Sequence, residues 1–270
     1  NTINDAVKQA INIAEITAAD QSNLIKRTHK FLKRLSTFEP VLNPSSSECS
    51  LFLSDVLKLN DSYINIGVPR VDGDLLCSAK GLKAPINVSD RPYIQESIAT
   101  RSFSIGEFQV DRATGVTSIN FAYPVIDPQS DNVVGLAVAV ISLDWWSKRL
   151  AESYLPENTV AYITDHEEKI IAVFPNDTKL LGSHIESVSG QLLEYQTTLN
   201  NATKIIRSPD NHLRAFVNRP LFNNSEFIRI SVGIPLGVKL SSINSRVIKT
   251  GLFILLFVFL ILMISKWGIK

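Results

Sequence analysis

The sequence is short of the residues from which metal centres, disulfide frameworks and nucleic-acid surfaces are built. It holds two cysteines, one methionine and four histidines in 270 residues. Cys49 and Cys77 form no CxxC motif and no Cys/His cluster, so zinc is not expected. His29, His166, His184 and His212 show no metal-like spacing. Excess charge is missing too. Lys+Arg 27 balance Asp+Glu 26, and no Lys/Arg-rich block occurs. That excludes the basic stripe of a nucleic-acid binder. A glycine-rich phosphate loop, a GxSxG elbow and an HExxH helix are all absent. Carboxylates are many but unpatterned, and a glycosidase pair is the one catalytic reading they leave open. Disorder is excluded by a hydrophobic content of 45%. The length accommodates one or two domains with their own cores.

The mean hydropathy of +0.11 is unevenly distributed. Gly251–Ile264 carries no polar side chain on any helical face. Lys249 precedes it, and Ser265, Lys266 and Trp267 follow. A membrane span takes about 17–25 residues, and snorkelling lysines with an interfacial Trp extend this run to roughly 19. The sequence therefore predicts an exit segment 241–270 with a transmembrane span at about 249–267; a buried core helix is the alternative. Its C-terminal position rules out a signal peptide. Charge does not set orientation, because Arg246 and Lys249 lie on one side and Lys266 and Lys270 on the other. With no initiator methionine, the chain reads as a piece of a longer protein: an extra-membrane domain with its exit helix. Two cysteines suit an oxidising compartment, where a Cys49–Cys77 bond would close a loop worth roughly 3 kcal/mol. Two free buried thiols are the alternative.

Apolar residues recur at helical spacing over residues 1–36, from Ile3 and Val7 through Leu24/Ile25 to Leu35, with a weak polar stretch at Thr17–Asn23. One long helix is expected, against a partner or as a surface helix of a monomer. Pro40–Ser47 reads as a turn and Cys49–Leu59 as a short helix. Tyr63–Val68 and Leu75–Ala79 flank an Asp72-Gly73 hairpin signal. A helix over Asp90–Ala99 opens with Pro92. Strands are expected at Phe103–Val110, Thr117–Val125 and Val133–Ile141, then a helix Leu143–Tyr154, with Asp144 capping it at Trp145. A second, smaller sheet follows from Val160–Asp165, Ile170–Val173, Leu213–Pro220 and Phe227–Ile234, with a loop at Asn176–Ile185. The expectation is an α+β chain: a long N-terminal helix (1–36), a first antiparallel-sheet unit (37–154), a second (155–240) and the exit helix.

Several strings in order carry a family resemblance: Leu76-Cys77-Ser78-Ala79, Asp90-Arg91-Pro92-Tyr93, Ile105-Gly106-Glu107-Phe108-Gln109, Asp111-Arg112-Ala113-Thr114-Gly115, Ala122-Tyr123-Pro124-Val125, Val134-Gly135 and Leu143-Asp144. Residues 1–245 resemble the double Cache (tandem PAS-like) extracytoplasmic sensor domains of bacterial transmembrane receptors, most like those on diguanylate cyclases or sensor histidine kinases. The resemblance implies a periplasmic domain anchored in the bacterial inner membrane and a homodimer through the long helix. It also implies a small-molecule ligand in the membrane-distal unit, transmission through the membrane-proximal unit and a catalytic output outside this chain. No cofactor is implied.

In amino-acid-binding members an Arg and an aromatic two residues on hold the ligand carboxylate, which falls here on Arg91 and Tyr93. A guanidinium fork and a phenol suit a carboxylate. The ammonium-holding residues fall on Gln109 (a Tyr in the family), Asp111 (conforming) and Val140 (an Asp in the family). The ammonium cage is thus incomplete, which speaks against an α-amino acid; a carboxylate or another small anionic or polar metabolite fits Arg91 better. Arg112, Phe121 and Tyr123 are candidate wall residues. Asp165, His166, Arg214 and Arg219 in the second unit read as solvated or turn residues. A single-anchor interaction or adhesion ectodomain is the competing reading; it requires no closed pocket beside Arg91 and Tyr93.

Overall fold

The computed structural model describes residues 2–44, 46–189, 193–200, 203–207, 212–222 and 227–236. The expected exit segment and transmembrane span lie outside the described residues. Among the described residues, no helix is long and apolar enough to cross a membrane.

The chain opens with helix α1, Thr2–Leu35. Val7, Ala10, Ala14, Ala18, Leu24, Ile25, Leu32 and Leu35 are buried, and with buried Gln21 and Thr28 between them they keep three- and four-residue steps, the stripe of a helix with one face against a core. That core belongs to two sheets at once. Arg219 of the second sheet pairs with Glu15 at 3.1 Å, and His29 stacks on Phe103 of the first at 4.6 Å. The outward face carries Lys26, Arg27, Lys30, Lys33 and Arg34, and Ile16 is its large exposed apolar side chain.

Part of the expected turn at Pro40–Ser47 is helical. Helix α2 (Glu39–Leu42) takes Pro40 in its first turn, where no amide hydrogen is needed, and α3 spans Ser46–Lys58. Cys49 on α3 is bonded to Cys77, with Cα atoms 5.9 Å apart. Strands β1 (Asn65–Pro69) and β2 (Leu75–Ser78) form the expected hairpin. Gly73 in its turn has φ +88°, and a Cβ there would lie 2.4 Å from the Ser89 amide nitrogen, so glycine is required twice over.

Helix α4 (Pro92–Thr100) crosses to β3 (Ser104–Ile105), β4 (Gln109–Val110), β5 (Thr117–Ile126) and β6 (Val133–Ser142). The first sheet is antiparallel in the order β2-β1-β6-β5-β3, with β4 also on β5. The expected strand Phe103–Val110 is thus broken in two. Gly106 still donates to the Asn120 carbonyl at 2.7 Å, but the Phe108 amide turns to the Asp165 carboxylate at 2.8 Å. Helix α5 (Leu143–Ala151) follows, and its cap corrects the expectation for Asp144: the Ser142 hydroxyl accepts the Trp145 amide at 3.0 Å, while Asp144 pairs with Lys148 at 2.6 Å.

The second sheet is not the smaller one. Strands β7 (Val160–Asp165), β8 (Ile170–Phe174), β9 (Leu193–Asn200), β10 (Thr203–Arg207), β11 (Leu213–Pro220) and β12 (Ile228–Pro235) form six antiparallel strands in the order β8-β7-β12-β11-β10-β9. Helix α6 (Ile185–Ser189) precedes β9. Strands β9 and β10 escape a hydrophobicity reading because polar and charged residues surround their few Leu and Ile residues, so neither forms a long apolar run or a clean alternation.

Strand parity separates two cores. On β5 and β6, Ile119, Phe121, Val125, Ala137, Ala139 and Ile141 join the core shared with α1. Ala122, Leu136, Val138 and Val140 face α4, where they meet Tyr93 and Ile94. The candidate site lies on that second face.

Candidate functional site

Residues scattered along the first sheet converge under the N-terminal end of α4. One small cavity is lined by Asn65 and Gly67 of β1, Leu75 of β2, Arg91 and Tyr93 at the start of α4, Gln109 of β4, Asp111–Ala113 of the next turn, Asn120 of β5, and Val138 and Val140 of β6. Its space for the centres of water molecules is about 30 Å³, the room of two or so waters. A larger open trough of about 380 Å³ lies along α1 between Asp20, Lys30 and Arg149, but its lining is mostly exposed side chains. Of these two, it is the smaller cavity at which buried polar groups converge.

The elements aim these side chains for local reasons. Pro92 starts α4, which puts half-buried Arg91 at the N-cap and turns Tyr93 onto the sheet. Arg91 donates to the Val110 carbonyl at 3.3 Å. Tyr93 is buried, and the loss of water around its phenol pushes its pKa up to about 12, so it is a neutral hydroxyl at any ordinary pH. Gly106 packs directly behind it: a Cβ there would be 3.0 Å from the Tyr93 ring and 2.9 Å from the Asn120 carbonyl. The turn Asp111–Gly115 is closed by the Asp111 carboxylate, whose Oδ2 accepts from the Thr114 amide at 2.9 Å and hydroxyl at 2.8 Å. Its Oδ1 accepts from Asn120 at 3.4 Å.

Two loops close over these groups. Arg112 grips both oxygens of Asp90 at 2.6 and 2.7 Å and the Asn87 carbonyl at 2.5 Å, tying the β4–β5 turn to the segment before α4. Hydrogen bonding from Arg112 holds the Asp90 carboxyl down to about 2.

Of the residues expected from sequence, Arg91, Tyr93, Gln109, Asp111 and Arg112 come together around this cavity. Phe121 and Tyr123 do not, which corrects their reading as wall residues. Both sit at odd positions of β5, on the face opposite Asn120. Phe121 is fully buried against Phe103 and Trp146, and Tyr123 faces His29 of α1. The structure adds two lining residues that sequence reasoning missed, Asn65 and Asn120. In the register, Val140 pairs with Asn65 on one side and with Asn120 on the other. Two amides therefore flank the valine that stands where the family places an acid. Their signal in the sequence was a polar residue alternating with apolar ones inside a strand.

No protein-family model and no curated protein sequence matches the chain. Solved structures do. The ligand-binding domain of Pseudomonas fluorescens chemoreceptor CtaA, in complex with L-isoleucine, superposes with a TM-score of 0.69 at 16% identity, covering 86% of this chain and 93% of that one. The amino-acid chemoreceptor PctB of Pseudomonas aeruginosa PAO1, with L-Arg, gives 0.66 at 15% identity over 89% and 92%. The sensor domain of the V. cholerae histidine kinase DctB gives 0.65 at 15% identity over 87% and 99%. What these neighbours share with the chain is the long N-terminal helix followed by two antiparallel sheets: the chain has the double Cache, tandem PAS-like fold of extracellular sensor domains.

Proposed function

We propose that this chain is an extracytoplasmic sensing domain of a membrane-bound receptor, and that the cavity beneath α4 takes a small carboxylate-bearing metabolite. The observation that carries this reading is the convergence of Arg91, Tyr93 and Asp111 on one cavity. Arg91 gives one hydrogen bond to a backbone carbonyl and keeps its fork for a planar anion. The Asp111 carboxylate can meet an ammonium, and Leu75, Val88, Val138 and Val140 offer an apolar wall for a short side chain. An α-amino acid satisfies all three, and an organic acid satisfies two. The cavity is smaller than either, so binding opens the cover that Arg112 forms with Asn87 and Asp90.

The adhesion reading requires no such cavity. Transmission would start at Gly106–Phe108, which touches Tyr93 and Asn120 at one end and docks on the second sheet at the other. From there it would pass through the second unit and exit segment to a cytoplasmic output domain, as a population shift between two arrangements. The homodimer expected through α1 would use its outward face, which carries Lys26, Arg27, Lys30, Lys33, Arg34 and the exposed Ile16.

A thermal-shift screen with amino acids and organic acids tests the reading. A ligand that binds only the folded state stabilises it by RT ln(1 + [L]/Kd), about 2.7 kcal/mol at a hundredfold excess over Kd. Arg91→Ala should remove that shift, weakening binding by about 30-fold or more, while leaving the unliganded melt nearly unchanged. A normal shift in that variant would refute the site.

A further inference from the structure

Asn120 stands at the centre of the polar floor, and both of its amide hydrogens are spoken for. It is buried on β5. Its Oδ1 accepts from the Ser118 hydroxyl at 2.8 Å. That contact leaves the amide NH2 pointing the other way, where one hydrogen is donated to the Tyr93 hydroxyl oxygen at 3.3 Å and the other to Asp111 Oδ1 at 3.4 Å. An amide has two N–H donors, so its donating side is fully used.

The consequence falls on Tyr93 and Asp111. A phenol oxygen that accepts from Asn120 must direct its own hydrogen elsewhere, and among the described residues no side chain or carbonyl takes it. Tyr93 is therefore a donor toward the cavity. Asp111 has Oδ2 saturated by Thr114, while Oδ1 holds one long contact and keeps acceptor capacity toward the same space. The floor thus presents an ordered pair, a donor at Tyr93 beside the Arg91 guanidinium and a single acceptor at Asp111. Asn65 repeats the arrangement on the far side of Val140: its Oδ1 accepts from the Ser78 hydroxyl at 3.0 Å and the Lys80 amide at 3.3 Å, which turns its NH2 away from those partners.

We propose that Asn120 is the specificity-determining residue of this site: its amide fixes Tyr93 as a donor and Asp111 as the lone acid, so that the site selects ligands carrying one carboxylate and at most one ammonium. The inference rests on the cavity being a ligand site. An acid at position 120 would invert it. A carboxylate there accepts the Tyr93 hydrogen, withdraws the donor from the ligand carboxylate, and adds a second negative charge beside Asp111.

Three probes of one shape separate the groups: L-valine, 3-methylbutanoate (no ammonium) and 2-methylpropylamine (no carboxylate). Their affinities are compared by calorimetry for wild type and Asn120→Asp. Wild type should bind L-valine at least ten-fold more tightly than either half-ligand. Asn120→Asp should weaken 3-methylbutanoate by ten-fold or more while the amine binds as well as before or better. Ser118→Ala, which frees the amide to turn over, should move the same ratio in the same direction to a smaller extent and serves if the acid substitution does not fold. A uniform weakening of all three probes, or unchanged ratios, would mean that Asn120 only supports the sheet, and would overturn the proposal while leaving the site intact. Failure of wild type to bind any of the three would remove the site reading and the proposal together.

Discussion

Arg112 and Asp90 meet at the rim of the cavity as an exposed bidentate pair, and their chemistry is readable through pH. The hydrogen bonds from Arg112 lower the Asp90 pKa from an ordinary 3.8 to about 2. A carboxylate whose folded pKa lies below its unfolded one stabilises the fold above the unfolded value, and ceases to as pH falls through the folded value. The pair therefore contributes above roughly pH 4 and is lost toward pH 2. Urea midpoints measured between about pH 6 and about pH 2.5 should fall less steeply in Asp90→Asn than in wild type. Parallel slopes would show the pair to be inert. The same residues mark what a sequence can disclose at this scale. Arg91, Tyr93, Gln109, Asp111 and Arg112 were marked by the family resemblance, which three short strings carry at these positions. Asn65 and Asn120 were not, since a single asparagine in a strand has no spacing to identify it. Phe121 and Tyr123 were misplaced by parity: one step along a strand exchanges the faces of the sheet, and which face holds the site is not written locally.

At the scale of elements, the polar stretch of α1 looked like a flaw in its apolar stripe. The structure gives it partners. Thr17 hydrogen-bonds back to the Ile13 carbonyl at 2.9 Å, and buried Gln21 accepts the Trp146 indole N–H at 2.9 Å. Further along, Tyr63 donates to Thr28 at 3.1 Å. These polar residues face the core because the indole and phenol they serve are themselves buried. Gln21→Leu should therefore destabilise the domain by about 1–3 kcal/mol in urea unfolding, because the Trp146 donor is left unsatisfied. A neutral result would mean that another acceptor reaches the indole. Elsewhere, element identity followed from periodicity and turn chemistry, and it failed where these are weak. Strands β9 and β10 set only a few Leu and Ile among polar and charged residues, and the strand expected at Phe103–Val110 breaks because Phe108 finds a stronger acceptor than its neighbour in the sheet.

That acceptor matters for the whole molecule. Asp165 closes the β7–β8 turn by taking the Glu167 and Lys169 amides on Oδ1 at 3.0 and 2.9 Å, and takes the Phe108 amide on Oδ2 at 2.8 Å. His166 and Glu107 approach to 3.2 Å beside it, and the Phe108 ring lies where a side chain on Gly182 would be. The segment that carries Gln109 and Asp111 to the cavity is therefore anchored, one residue earlier, on the second sheet. Asp165→Asn replaces one acceptor oxygen by a donor facing an N–H, so it should cost about 1–3 kcal/mol and loosen this joint. With L-valine as probe, hydrogen exchange at Glu167 and Lys169 should slow on binding in wild type and respond less in the variant. An equal response in both would show that the two sheets are coupled through α1 instead.

Local chemistry settled much of this protein. The apolar repeat at three- and four-residue steps wrote α1, Asp72-Gly73 wrote the first hairpin, and alternation wrote most strands. These are properties of neighbouring residues, and so a linear reading reaches them. The tertiary structure decided the rest. It settled which face of β5 meets α4, that Asn65 and Asn120 flank Val140, that Gln21 serves Trp146, and that Phe108 docks on Asp165. Each of these joins residues far apart in the chain. Their contact depends on strand register and on which buried donor lacks an acceptor, quantities that exist only once the sheets have formed.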